Sequence, residues 1–156
     1  MSITAETTRL IVEHLREIFP DVECRRSYVP ECDPEELEEV GKTILNVYPV
    51  HRSADRYTQG GMQKNDPVID IAINAKLTHR NDEPEIFNAE VDEYVAFSER
   101  LYSAFLKKIV KNVGGLKVAF DQPEHDILVD FEAIQHRNCF FGVVRVNAEV
   151  FAKPEV

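Results

Sequence analysis

The feature that most constrains the fold is the alternation of apolar and polar residues in three segments. Residues 42–50 (KTILNVYPV) and 68–77 (VIDIAINAKL) alternate as strands do when successive side chains point to opposite faces of a sheet. Residues 138–151 show the same period of two and predict a third long strand. Shorter strands are predicted at residues 21–29 and 116–120. A chain with this pattern needs a sheet at its centre.

An amphipathic helix is predicted over residues 4–19. Its apolar residues recur at spacings of three and four, which places them on one helical face. Ser2 or Thr4 can cap its first turn, and Pro20 prevents further growth. The acidic segment that begins with DPEEL at residue 33 predicts one more short helical turn.

A second and longer apolar stripe predicts a helix from Phe87 to Val113. Gly114 and Gly115 follow it, and glycine is a frequent helix terminator. Residues 121–126 (DQPEHD) are predicted to form a turn, and residues 127–137 a strand followed by a helical turn.

These elements do not alternate as strand and helix along the chain. The pattern therefore predicts an α+β fold, with a mainly antiparallel β-sheet and with the N-terminal helix and the long helix packed on one face. A length of 156 residues predicts one domain over residues 1–156.

The net charge of −10 argues against a protein that holds nucleic acid on a broad basic face. No apolar run approaches the roughly 20 residues that span a bilayer, and the N-terminus lacks the order of a signal peptide. We expect a cytoplasmic location and no membrane partner. Cys24, Cys32 and Cys139 cannot all pair within one chain, and we expect reduced thiols without a metal.

No catalytic motif stands out, and we predict no catalytic residue, no metal ligand and no cofactor. Phosphate-binding glycine loops and nucleophile elbows are missing from the sequence. His136 and Cys139 lie three positions apart, and this spacing is their one resemblance to a cysteine nucleophile with its histidine base. Asp70, between isoleucines, could be a tuned acid, but the simpler interpretation is the solvent or interface face of an amphipathic strand.

The long polar segment at about residues 51–66 is the best candidate for a functional feature. A hairpin between the two neighbouring strands needs two to five residues, and loops of about fifteen are usually functional or disordered. We predict an interface with another subunit or partner protein in this loop, formed by His51, Arg52, Asp55, Arg56, Tyr57, Gln59 and Lys64.

The order of elements, together with the segments LNVYPVHRSADR and VIDIAINAKL, resembles the tail-terminator or tail-completion proteins at the head–tail junction of long-tailed bacteriophages. The resemblance implies a structural virion protein of the phage neck, assembled in the host cytoplasm. Such a protein forms a ring, six-fold in this group, that caps the tail tube, stops its polymerisation and helps to join tail to head.

The implied partners are further copies of the same chain, the tail tube protein and a head-completion or connector protein. DNA would pass through the channel without specific binding, which the acidic charge favours. Two alternatives stay open. One is another head–tail connector or tail-tube component of related fold. The other is a small enzyme or ligand-binding domain in which Asp70, His79 or His136 converge on a pocket.

Overall fold

The computed structural model describes residues 2–40, 43–52, 56–57, 61–79, 82–106, 110–113 and 116–152. In this part of the chain four helices flank a mixed sheet of nine strands. In chain order the elements are α1 (Ile3–Ile18), β1 (Glu23–Arg26), α2 (Pro34–Val40), β2 (Ile44–Arg52), β3 (Arg56–Tyr57), β4 (Gln63–Asn65), β5 (Pro67–Lys76), α3 (Pro84–Leu106), β6 (Val110–Val113), β7 (Leu116–Phe120), β8 (Glu124–Ile127), α4 (Phe131–Arg137) and β9 (Cys139–Ala152).

Strand β9 lies in the middle of the sheet and has partners on both edges. β5 and β4 pair with one edge in a continuous register, in which Val68 faces Asn147 and Asn65 faces Val150. β8 and β7 pair with the other edge. Beyond β5 come β2 and then β1, beyond β7 comes β6, and β3 pairs with β4. Only the β1–β2 pairing is parallel among the described strands, so the predicted, mainly antiparallel α+β fold is confirmed.

Helices α1 and α3 pack side by side on one face of the sheet, as predicted. Ile11 and Leu15 of α1 and Leu101 and Phe105 of α3 are fully buried against the isoleucines of β5. Fully burying a side chain of this kind contributes roughly 1.5–3 kcal/mol. The ring centroids of Phe19 and Phe97 lie 5.1 Å apart, which joins the two helices directly. This face therefore holds the main hydrophobic core.

The local signals for α1 act as the sequence predicts. The Ser2 hydroxyl accepts a hydrogen bond from the backbone N–H of Ala5 at 3.1 Å, and the helix ends at Ile18, two residues before Pro20. α3 is longer, at 23 residues, and begins at Pro84. Among the helices in the described ranges, none combines the length and the apolar character needed to cross a bilayer.

The opposite face of the sheet is covered in part by the two short helices. Leu37 of α2 is buried in a small cluster with Cys32, Ile44 and Cys139. Ala133 of α4 packs in a second cluster with four buried residues of β2, β5 and β9: Tyr48, Ala72, Phe141 and Val143. The sheet thus carries helices on both faces, and the second face has the smaller core.

The predicted C-terminal end of the long helix is wrong. Val110–Val113 is strand β6, in which Val110 faces Ala119 and Val113 faces Leu116 on β7. The apolar spacing fits a helix, but the β-branched residues there pair with a neighbouring strand, and tertiary pairing overrides a weak local preference. Gly114 and Gly115, predicted to end the helix, lie outside the described residues.

Two further predictions need correction. Residues 124–126, predicted to lie in a turn, belong to strand β8, because Glu124 and His125 pair with Arg145 and Val144 on β9. Strand β1 covers only Glu23–Arg26 of the predicted 21–29. The helical turn predicted within residues 127–137 is a seven-residue helix, α4.

Candidate functional site

The segment predicted as one long loop contains secondary structure. Arg52 is the last residue of β2, Arg56 and Tyr57 form β3, and Lys64 lies in β4. β3 and β4 pair as a hairpin, with Arg56 facing Lys64, and β4 attaches this hairpin to the end of β9. The prediction of one long polar loop at about residues 51–66 is therefore corrected for the described residues, which include β3 and β4. These strands are too short to show a period of two in the sequence.

The predicted interface residues have different places in this hairpin. His51 is exposed at the end of β2, and Asp55 and Gln59 lie outside the described residues. The Lys64 ammonium lies 5.8 Å from the centre of the Phe151 ring on β9 and 3.8 Å from an Asp66 carboxylate oxygen. Lys64 thus holds the hairpin to β9 as well as adding charge to its surface.

The second face of the sheet carries an ion pair between Arg145 and Asp70, and Asp70 is buried there although it was predicted to lie on a solvent or interface face. Arg145 on β9 donates from Nε to Asp70 Oδ1 at 2.9 Å and from Nη2 to Oδ2 at 3.1 Å. The Asp70 side chain is only 5% exposed, whereas that of Arg145 is 30% exposed. Arg145 Nη1 also lies 3.4 Å from an Asp126 carboxylate oxygen. Asp70 is therefore buried, and both of its side-chain oxygens accept hydrogen bonds from Arg145.

Tyr48 lies in the same part of the second face. Burial raises the pKa of its phenol to about 12, and the Asp70 carboxylate adds to the shift because it opposes a second negative charge nearby. Tyr48 faces Asp70 across the β2–β5 pairing. The phenol stays protonated at neutral pH, so this group acts as a neutral polar side chain and not as a base.

Buried amides hold the segment after β1 onto the second face. The side-chain amides of Asn46 and Asn74 both donate to the carbonyl oxygen of Pro30 at 3.0 Å. The backbone N–H of Cys32 donates to Asn74 Oδ1 at 3.0 Å. Arg25 Nε donates to Asn46 Oδ1 at 2.8 Å, and its guanidinium also pairs with Glu36 on α2. These bonds fix residues 27–33 in one position although the segment has no regular structure.

Tyr28 and Val29 project from this fixed segment into solvent. Their exposed fractions are 72% and 63%, and both lie beyond the end of β1 although the predicted strand over residues 21–29 includes them. Ser27 bridges the turn, because its hydroxyl donates to the Val29 carbonyl and accepts from the Val29 N–H. Arg26 Nη2 donates to the Tyr28 hydroxyl at 3.4 Å. A rigid backbone thus presents an aromatic, an aliphatic and a cationic side chain together.

An apolar groove lies between α3 and α4. Its volume is about 520 Å³, and its polar lining comes from Asn88, Asp92 and Gln135. Phe131 is 71% exposed at the mouth. The apolar lining comes from α3, from α4 and from the segment before α4: Phe87, Val91, Val95, Val129, Phe131 and Ile134. Exposed apolar surface of this kind marks interaction sites more often than ordinary surface does.

His125 is a residue that the sequence analysis did not single out. Its ring stacks on Tyr102 with centroids 4.8 Å apart, and its Nδ1 lies 3.4 Å from the Ser98 hydroxyl. Glu99 and Tyr102 line the adjoining cavity of about 550 Å³. Serine and histidine are the residue types of a nucleophile and its base, but Ser98 is fully buried, so no substrate carbonyl can reach its oxygen.

The three residues named for a possible enzyme do not come together in any cavity formed by the described residues alone. His136 lines a cleft with Lys76 and Glu38, and neither Asp70 nor His79 belongs to its lining. The backbone N–H of His79 instead donates to Glu90 on α3. Burial alone would raise the pKa of Glu90, but hydrogen bonds from Thr78 and His79 outweigh it and lower that pKa. Glu90 therefore anchors the β5–α3 connection as a carboxylate.

The three cysteines are free and buried. Burial raises the pKa of Cys24 to about 11, and burial also raises those of Cys32 and Cys139, which disfavours the reactive thiolate. Within the described ranges, no three histidine, cysteine, aspartate or glutamate side chains come together as ligands for a metal ion. A scan of protein-family models and a search of curated proteins found no match to this chain.

Proposed function

We propose that this chain is a structural subunit of a bacteriophage neck. Copies of it form a six-fold ring that caps the tail tube, ends its polymerisation and helps to join tail to head. The support from the sequence is the resemblance in element order. The support from the structure is an α+β sheet with α1 and α3 on one face, which is the kind of fold that the resemblance implies.

The observation that carries this proposal is the exposed end of the sheet at β1. In the described part of the chain β1 has β2 as its one strand partner, and the exposed Tyr28 and Val29 follow shortly after it. On the outer edge of β1 the Arg16 side chain binds the Cys24 carbonyl oxygen, and no strand lies there among the described residues. A strand edge without a strand partner, beside exposed apolar side chains, is a surface that favours protein association. A subunit of a ring needs a surface for association with each of its two neighbours.

The hairpin of β3 and β4 has a second role in the proposal. It extends the sheet at the far end of β9 and carries Arg56 and Lys64 in paired positions. On a chain with a net charge of −10, such a locally basic element suits contact with an acidic surface of the tail tube or of a neighbouring subunit.

Light scattering over a concentration series, with electron microscopy of the most concentrated sample, tests this proposal. We expect a mass that rises toward six subunits and ring-shaped particles. The same series is repeated with tail tube protein added, because a terminator can need the tube as a template. A monomer at every concentration in both series contradicts the proposal and favours the enzyme or ligand-binding alternative.

A further inference from the structure

We propose that Tyr28 and Val29 of one subunit dock into the apolar groove between α3 and α4 of the next subunit. This inference rests on the proposed ring and specifies the surfaces that build it. It assigns the contact between subunits to the body of the sheet and leaves the β3–β4 hairpin for the tail tube.

The positions of the two surfaces favour a head-to-tail contact. Tyr28 and Val29 follow β1, which is the last strand on the β5 side of β9. The groove belongs to α3, α4 and the segment before α4, and this segment follows β8 on the other edge of β9. In its own subunit α4 also contacts residues 27–33, because Arg137 Nη1 lies 2.6 Å from a Glu31 carboxylate oxygen. The two patches are different surfaces of one subunit, so a contact between them is heterologous, and such interfaces close into rings when the rotation allows it.

The two surfaces also match in chemistry. A tyrosine and a valine, exposed by 72% and 63%, meet a groove whose apolar lining comes from six side chains. A volume of about 520 Å³ falls in the range that holds ligands larger than these two side chains. Tyrosine in a desolvated pocket is a frequent centre of binding energy in interfaces.

Charge complementarity sets the orientation of the contact. Arg26 is exposed and bonds to the Tyr28 hydroxyl, so a positive charge accompanies the docking side chains. Asp92 on α3 supplies a carboxylate in the polar lining of the groove. An opposite-charge pair there favours the correct register and disfavours a contact between two copies of the same patch.

The docking segment is already ordered in the free subunit. The Asn46 and Asn74 amides bind Pro30, Asn74 also binds the backbone of Cys32, and Ser27 bridges to Val29. Because the backbone is held before contact, little conformational entropy is lost when Tyr28 enters the groove. This ordering distinguishes the segment from an ordinary surface loop.

Two variants, Tyr28→Asp and Phe131→Asp, test the inference in the full chain. Each changes a side chain that is more than two-thirds exposed, so we expect an unchanged circular dichroism spectrum. Each alone should raise the concentration needed for half-assembly by about thirtyfold or more, as loss of a central interface residue does. Leu106→Asp, at an exposed residue outside both patches, is the matched control and should assemble like the wild type.

Mixing the two variants gives the sharper result. The Tyr28→Asp subunit keeps its groove and the Phe131→Asp subunit keeps its tyrosine, so an equimolar mixture should contain one-to-one pairs and nothing larger. A second pair of variants, Arg26→Asp and Asp92→Arg, should weaken assembly singly and restore it when combined in one chain.

The outcomes separate this inference from the proposed function. If the wild type assembles and the Tyr28 and Phe131 variants assemble equally well, the inference is overturned and the ring stands. A mixture that contains no pairs also overturns the inference. If the wild type stays monomeric with and without tube protein, the proposed function fails and the inference fails with it.

Discussion

Asp70 and Arg145 face each other across β5 and β9 and form two parallel hydrogen bonds, at 2.9 and 3.1 Å, on the second face of the sheet. The pair is asymmetric, because Asp70 is buried while Arg145 is partly exposed and also reaches Asp126. The consequences of removing either partner should therefore differ.

We expect Arg145→Met to lower the free energy of unfolding by about 3–5 kcal/mol, because it leaves a buried carboxylate without its cation. Asp70→Asn should lower it by about 1–2 kcal/mol, since Arg145 keeps Asp126 and contact with water. Urea unfolding followed by circular dichroism at pH 7 measures both. Glu13→Gln, which breaks an exposed pair with Arg9, is the control and should leave the free energy of unfolding close to that of the wild type. Equal losses for Arg145→Met and Glu13→Gln would contradict the prediction.

Tyr48 should make the protein sensitive to alkali. Its pKa is about 12 in the folded chain and about 10 when unfolded, so the unfolded chain loses this proton first as the pH rises. The neutral phenol makes its full contribution to the free energy of unfolding below pH 10, and this contribution decreases by about 2–3 kcal/mol as the pH approaches 12. Tyr48→Phe removes this pH-dependent contribution.

The measurement is the difference in unfolding free energy between Tyr48→Phe and the wild type from pH 8 to pH 11.5. We expect a constant difference up to about pH 10 and a rising advantage for the phenylalanine variant above it. A difference that stays constant over the whole range would show that the buried phenol does not carry the alkaline response.

The basic residues at the hairpin should matter for assembly and not for folding. Arg52→Glu with Arg56→Glu should leave the thermal midpoint within a few degrees of the wild type and abolish assembly on the tail tube. Arg9→Glu with Arg100→Glu changes the net charge equally on α1 and α3 and serves as the control. Loss of solubility or of thermal stability in the hairpin variant alone would show that these residues belong to the core and would contradict their assignment to an interface.

Gly142 allows the chain after β8 to lie close against β9. A Cβ atom at this position would lie 3.0 Å from the Leu128 carbonyl oxygen and 3.2 Å from that of Ile127. We expect Gly142→Ala to lower the free energy of unfolding by about 1–3 kcal/mol, because backbone must shift to make room.

Gly61→Ala provides the comparison for Gly142→Ala. Gly61 has open space around it but a φ of +78°, so its substitution carries only the backbone cost of about 1 kcal/mol. Hydrogen exchange should also increase at the amide of Asp130, which bonds to Phe141, in Gly142→Ala alone. Unchanged exchange there would contradict the steric explanation.

The sequence predicts the parts of this fold that local period determines. β2, β5, β9 and α1 follow from alternation or helical spacing, because one face of each is buried and the pattern records that face. The end of α3 does not follow, since Val110–Val113 satisfies a helical stripe as well as a strand and only the pairing with β7 decides between them. β3, β4 and β8 are too short to carry a period at all.

The candidate site shows the same division. Alternation places Asp70 on the polar side of β5, but its burial comes from its partner Arg145, 75 residues further along the chain. The exposure of Tyr28 likewise depends on buried amides of Asn46 and Asn74, which hold the residues that follow it, Pro30 and Cys32. Such long-range contacts leave no local signal, so a sequence without an alignment identifies neither the ion pair nor the docking segment.

The central position of β9 has a consequence for synthesis in the cell. β5, β4, β7 and β8 all pair with β9, yet the ribosome produces β9 after every one of them. Until residue 152 has left the exit tunnel, these strands lack their shared partner, and the β2–β5 pair exposes an unsatisfied edge. We therefore expect the sheet to close late and in one step, and nascent chains truncated before Cys139 to bind chaperones strongly.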